Sequence, residues 1–133
     1  MDDSDSNFKD EQRKRIIENH PNLYSEKICF ECSNGWLDLI EELSGKLESL
    51  IIKYYRSRND EEIDINFYAV KVKEKFGTLR FYLNMYTEEM DDLIYEAEAK
   101  SAITCELCGK PGKTVGVLWL ETLCEKCNKE ELK

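Results

Sequence analysis

The chain has 133 residues, of which 41% are hydrophobic and 35% are charged, and its formal net charge at pH 7 is −9. This balance excludes a disordered chain, and no apolar run exceeds four residues (Val117 to Leu120), far fewer than the ~20 residues that cross a bilayer. The acidic N-terminus lacks the basic and apolar parts of a secretion signal, so we expect a cytoplasmic protein. In that reducing compartment the six cysteines favour metal binding over disulfides.

The first half of the chain predicts a tail and two helices. Residues 1–7 are polar and acidic, which predicts a disordered tail. A short helix is predicted from Phe8 to Asn19, and His20-Pro21 ends it. Residues 21–35 form a predicted loop, and a long helix follows to about Arg58. Its apolar residues recur in steps of three and four, at Trp36, Ile40, Leu43, Leu47, Leu50 and Tyr54.

The middle of the chain predicts a β-hairpin followed by a third helix. Residues 63–69 alternate apolar and polar side chains, and a change of phase near Tyr68-Ala69 predicts a bulge. Phe76-Gly77-Thr78 offers the turn, and Leu79–Tyr86 is the predicted returning strand. Thr87 can cap a helix that runs to about Ala102.

These elements predict an α+β fold in which helices pack on a β-hairpin or small antiparallel sheet. Residues 8–102 form the predicted core, and residues 103–133 form a zinc-ribbon-like subdomain packed on it. The prediction of a zinc-ribbon-like subdomain depends on four of the cysteines.

Cys105 and Cys108 form one C-x-x-C pair, and Cys124 and Cys127 form a second pair after fifteen intervening residues. This spacing strongly indicates zinc, because two sulfurs three residues apart on a tight knuckle face one side of an ion. Four thiolates close a tetrahedral site, so we expect structural Zn²⁺ and not catalysis. Unligated buried cysteines and a redox role are the alternatives.

The third C-x-x-C pair, Cys29 and Cys32, has no second pair to share an ion with. We interpret both as small, half-buried thiols; a site completed by another chain, or a redox pair, stays open. The single histidine, His20, is interpreted as a loop or capping residue.

A basic segment interrupts the acidic chain, since residues 66–86 hold four cations against Glu74 alone, a net charge of +3. Lysines at alternate strand positions project from one face, whereas the side taken by Arg80 depends on the register. This pattern predicts an anion site for a phosphate-bearing ligand or an acidic protein patch. A neighbouring aromatic ring can stack on a nucleobase, and the alternative for each ring is a place in the core. The candidate ligand-binding residues are Lys71, Lys73, Lys75, Arg80 and Tyr82. The alternative is a solvated surface neutralised by Glu74 and nearby acidic helix residues.

The sequence offers little to a catalytic interpretation. Gly112-Lys113-Thr114 resembles the end of a phosphate-binding loop, but Leu107 stands where the first glycine is required. Acidic pairs such as Asp91-Asp92 are typical of solvated helix faces. We therefore expect a protein that is not an enzyme.

Several strings resemble those of a set of small phage and prophage proteins, across residues 29–127. They are ECSNGW (31–36), KEKFGTLRFY (73–82), EAEAKSA (96–102), TCELCGKPG (104–112), Trp119 and TLC (122–124). The last ligand position in such proteins can be histidine, and here it is Cys127. The resemblance implies a phage setting within a bacterial host cell, and no mechanism.

Together these observations predict a non-enzymatic, zinc-stabilised phage accessory protein that binds a host protein stoichiometrically and inhibits a bacterial defence system. One alternative is a binder that sequesters an anionic nucleotide on the basic strand. A second is a nucleic-acid-binding zinc ribbon, which the net charge of −5 over residues 87–133 disfavours.

Overall fold

The computed structural model describes residues 3–57 and 66–131. The described part of the chain forms an α+β fold, as predicted. In chain order its elements are α1 (Asp3–Asn19), β1 (Phe30–Glu31), a short 3₁₀ turn (Asn34–Trp36), α2 (Leu37–Ser57), β2 (Ala69–Lys75), β3 (Thr78–Leu83), α3 (Glu88–Ser101), β4 (Lys113–Val115), β5 (Glu121–Leu123) and α4 (Glu125–Glu131).

The long helix α2 supplies the largest share of the core. Ile40, Leu43 and Leu47 are buried as the periodicity predicts, but Ile51 continues the buried row while Leu50 stays half-buried. A period of 3.6 residues explains this drift along the helix. The stripe packs with Val72 and Phe81 from the sheet and with Met90 and Ile94 from α3, so both helices cover one face of the sheet.

The sheet has three strands in the order β1-β2-β3. The antiparallel pairing of β2 with β3 confirms the predicted hairpin, and a register shift between Ala69 and Lys71 confirms a bulge close to the predicted place. Residues 63–65, assigned to the first strand by the sequence, lie outside the described residues. The prediction of a loop over 21–35 is wrong at Phe30–Glu31, which pair in parallel with β2. Two residues are too few to show an alternating pattern.

Side chains close the outer edge of β3. The backbone N–H of Leu79 donates to Ser101 Oγ at 2.8 Å, and that of Phe81 donates to the Glu98 carboxylate at 3.3 Å. The N–H of Leu83 donates to the Tyr86 hydroxyl at 3.0 Å. Unpaired N–H groups on an edge strand invite pairing with another chain, and these three partners remove that opportunity.

The first helix is longer than predicted, because α1 begins at Asp3 and includes residues 3–7 of the predicted tail. Arg13 joins this helix to the segment that contains β1. Its guanidinium donates to the carbonyl oxygens of Phe30 and Cys32, each at 2.9 Å, and to Asn34 Oδ1 at 2.8 Å. One side chain therefore fixes the segment around the short strand to α1.

We predict that Arg13→Ala lowers the free energy of unfolding by about 2 kcal/mol, because three hydrogen bonds from a charged donor are lost. Urea denaturation followed by circular dichroism measures this. Lys14→Ala is the matched control, since Lys14 is exposed and its one ion pair among the described residues is with Glu18 at 4.0 Å; the substitution should cost less than about 0.5 kcal/mol. Equal effects of the two substitutions would contradict the role assigned to Arg13.

Candidate functional site

The four C-terminal cysteines come together as predicted. The sulfur atoms of Cys105, Cys108, Cys124 and Cys127 all lie within 4.8 Å of one another, and those of Cys108 and Cys124 are 3.6 Å apart. A tetrahedral ion with Zn–S bonds of about 2.3 Å spaces its sulfurs about 3.8 Å apart, whereas a disulfide spaces them about 2.0 Å apart. All four are free thiols. The cluster therefore has the dimensions of a metal site and not of a disulfide pair.

Two different local backbone structures orient the sulfur atoms of the two cysteine pairs. The first pair lies on a tight turn, in which the N–H of Gly109 donates to the carbonyl of Cys105 at 2.9 Å. The second pair begins α4, where the N–H of Cys127 donates to the sulfur of Cys124 at 3.4 Å. The antiparallel pair β4–β5 carries the chain from one of these structures to the other.

The thiols affect one another's ionisation. The pKa of Cys124 falls to about 7, mainly because the N–H of Cys127 donates a hydrogen bond to its sulfur. Hydrogen bonds from the neighbouring thiols to the same sulfur lower this pKa further. Burial raises the pKa of Cys127, and the other sulfurs raise it further. Burial also raises the pKa of Cys108. One thiolate is favoured and further thiolates are opposed, so a full set of four requires a cation among them.

Gly35 and Trp36 hold the cysteine-rich region, residues 103–131, against the core; we call this region the metal-site subdomain. The N–H of Gly35 donates to the carbonyl of Glu106 at 2.8 Å, and the indole N–H of buried Trp36 donates to the carbonyl of Thr104 at 2.9 Å. A Cβ atom on Gly35 would lie 2.1 Å from the carbonyl oxygen of Cys105. Only glycine permits this approach of the two backbones.

The hairpin turn makes the second contact between the two parts. Phe76 and Gly77 both have positive φ, 56° and 80°, as a two-residue turn between twisted strands requires. The Thr122 hydroxyl donates to the carbonyl of Gly77 at 2.5 Å, and the N–H of Thr122 donates to the buried carboxylate of Glu106 at 3.1 Å. The strings at 31–36, 73–82, 104–112 and 122–124 thus meet at one interface.

The strand register decides the position of the predicted anion site. Arg80 lies directly opposite Lys73, and Tyr82 lies opposite Lys71. With Lys75, these residues share the outer face of the sheet, away from the buried face of Val72 and Phe81. We call this set, Lys71, Lys73, Lys75, Arg80 and Tyr82, the basic face.

The basic face is partly compensated and lines none of five clefts on the described surface. Glu31 lies 3.8 Å from Lys71. Partial burial raises the pKa of the Glu98 carboxyl, and the positive charge of Arg80 opposes this rise. Glu74, which the alternative interpretation counts among the neutralising residues, lies opposite Leu79 and accepts the N–H of Gly77 at 2.8 Å. Within the described residues, the buried Nε of Arg80 has no hydrogen-bond partner.

The remaining candidates lie away from the metal site. The prediction of half-buried thiols is confirmed for Cys32, which packs against the core, and is wrong for Cys29, which is exposed. Burial raises the pKa of Cys32 to about 11. Phe30, between them, is buried and Glu31 is exposed, so alternation along the strand turns the two thiols to opposite faces. His20 Nδ1 lies 2.6 Å from the carbonyl of Ile16 at the end of α1, as a capping residue does.

Sequence reasoning missed an exposed apolar tip between β4 and β5. Val117, Leu118 and Trp119 are 91%, 100% and 75% exposed, and we call these three residues the apolar tip. The hairpin that contains the tip has strands of only three residues each, β4 and β5. The apolar run therefore falls on the loop.

No protein-family model matches this chain, and neither the curated proteins nor the solved structures gave a match. The resemblance to phage proteins stays a prediction. Among the residues that the structure describes, no helix combines the length and the apolar character needed to cross a membrane.

We predict one Zn²⁺ per chain in native mass spectrometry, and loss of most bound metal in Cys108→Ser, because three thiolates hold the ion far more weakly than four. Cys29→Ser is the control, since Cys29 is also an exposed cysteine but lies outside the cluster. Metal lost equally from both variants, or absent from the unsubstituted protein, would contradict the assignment.

Proposed function

We propose that this protein is a non-enzymatic phage accessory protein, stabilised by a structural zinc ion, that binds a host protein stoichiometrically in the bacterial cytoplasm. The observation that carries this proposal is the apolar tip. The cluster of four thiols also supports the proposal, because a zinc ion held by all four would have no open position for water or substrate.

The apolar tip has the properties of a binding anchor. Three consecutive apolar side chains lie in solvent, at a cost that a folded chain normally avoids by burying them. Tryptophan is one of the residue types enriched among the few that contribute most of the binding energy of protein interfaces. A metal ion at the base of the loop limits its motion, so less entropy is lost when a partner closes over it.

A host defence protein is the target class that we propose. Its support is the resemblance of the motif strings to phage proteins, together with the acidic net charge of −9, which disfavours nucleic acid as the target. Occupying a defence protein by contact requires neither turnover nor a catalytic group.

The test is capture from a bacterial lysate by the immobilised zinc-loaded protein. We expect one host protein near 1:1 stoichiometry, and we expect Leu118→Ser/Trp119→Ser to reduce its recovery by at least tenfold. Tyr95→Ser is the matched control, because Tyr95 is 76% exposed and lies on α3 away from the tip. No reproducible partner, or equal loss in the control, would refute the proposal.

A second candidate function is sequestration of an anionic nucleotide on the basic face. It is favoured by the convergence of four cations and Tyr82 on one side of the sheet, and by the unpartnered Nε of Arg80 within the described residues. Phosphate would pair with the cations while the base stacks on Tyr82.

Isothermal titration calorimetry with a panel of nucleoside mono-, di- and triphosphates and cyclic dinucleotides tests this candidate. Lys73→Glu should abolish the heat of binding, since Lys73 lies at the centre of the basic face opposite Arg80. Lys14→Glu makes the same charge change on an exposed side chain of α1 and should leave binding within twofold. A signal that survives Lys73→Glu would exclude the basic face as the site.

A further inference from the structure

A cleft of about 700 Å³ lies between α2 and α3 on their solvent side. The two helices run antiparallel, since Lys100 near the end of α3 lies 3.6 Å from Glu42 near the start of α2. Half-buried Leu50 and Leu93 contribute apolar surface, and Gly45 adds no side chain to fill the space. The result is an open, partly apolar groove along two helices.

The rim of this cleft is acidic, and its charge is compensated on one side only. On the α2 side, Glu42 lies 3.2 Å from Lys46, and Glu41 lies 3.4 Å from Arg15. On the α3 side, Glu89, Asp92 and Glu96 are exposed and make no ion pair within the described residues. The α3 rim therefore carries three uncompensated carboxylates beside an apolar surface.

The spacing of these carboxylates favours an extended partner over a metal ion. Glu89 and Glu96 are seven residues apart, which is about 10 Å along a helix and too far to share one ion. Among the described residues, only the four cysteines converge closely enough to hold a metal. A row of charges two turns long matches a ligand whose own charges repeat along an axis.

We infer that this cleft binds a cationic amphipathic helix of a partner protein. Two antiparallel helices can receive a third in their groove, where apolar side chains at i, i+3 and i+7 contact Leu50 and Leu93. Lysines or arginines on the flank of that helix would face Glu89, Asp92 and Glu96. The inference goes beyond the apolar tip, which lies on a different part of the chain, and does not depend on it.

Fluorescence anisotropy with a labelled 18-residue peptide of Leu and Lys, with Leu on one helical face, tests the inference on the full zinc-loaded chain. We expect saturable 1:1 binding, weakened about tenfold by Asp92→Asn/Glu96→Gln, which removes two ion pairs. Ser49→Trp places a large ring in the cleft without changing charge, and it should weaken binding at least tenfold. Trp119→Ser should leave this affinity unchanged, so the peptide assay and lysate capture can fail separately.

The control variant is Glu88→Gln/Asp91→Asn, which makes the same charge change on α3 outside the cleft and should alter affinity less than twofold. A scrambled peptide of the same composition should bind at least tenfold more weakly. Equal binding of both peptides, equal effects of both double variants, or no binding at 100 μM peptide would overturn the inference. So would a dimer in sedimentation that Ser49→Trp disrupts, because the cleft would then hold a second copy of this chain.

Discussion

The close approach of two backbones, at Gly35 and at the Cys105-Glu106 peptide, joins the α+β core to the metal site. With only hydrogen in place of a side chain, Gly35 allows its N–H to reach the Glu106 carbonyl at 2.8 Å. The neighbouring Trp36 is then buried in the core while its indole N–H bonds the carbonyl of Thr104. This geometry fixes where the first cysteine pair stands relative to the core.

The metal-site subdomain has too little core to be stable alone. Its buried apolar cluster consists of Cys105, Leu123 and Cys124 within the described residues, so two of its three members are themselves metal-site thiols. An ion that neutralises the thiolates replaces the missing apolar burial, as it does in other small metal-dependent folds. Because β4 and β5 connect the cysteine cluster to the apolar tip, an ion held by the four thiols would link the stability of the subdomain to the rigidity of the tip.

Periodicity and spacing predicted the elements that carry repeated signals. The stripe of α2, the hairpin with its bulge, the Thr87 cap of α3 and the four metal-site cysteines all have such patterns, and the structure confirms them. The parallel strand β1 could not be predicted, because its two residues are too few to alternate and its pairing with Val72 and Lys73 is a long-range contact. The apolar tip and the cleft also lack a local signal. Whether an apolar run is buried, or two helices leave a groove, depends on tertiary packing.

The net charge of −9 conceals two surfaces of opposite sign on opposite sides of the molecule. The basic face is the outer side of the sheet, whereas α2 and α3 cover its inner side and turn their acidic cleft to solvent. The long-range electrostatic field of the negatively charged protein repels an anionic nucleotide that approaches the basic face and attracts a cationic helix that approaches the cleft. Low ionic strength extends the range of this field, so it favours the approach of a cationic helix and opposes that of an anion until the anion is close to the four cations of the basic face.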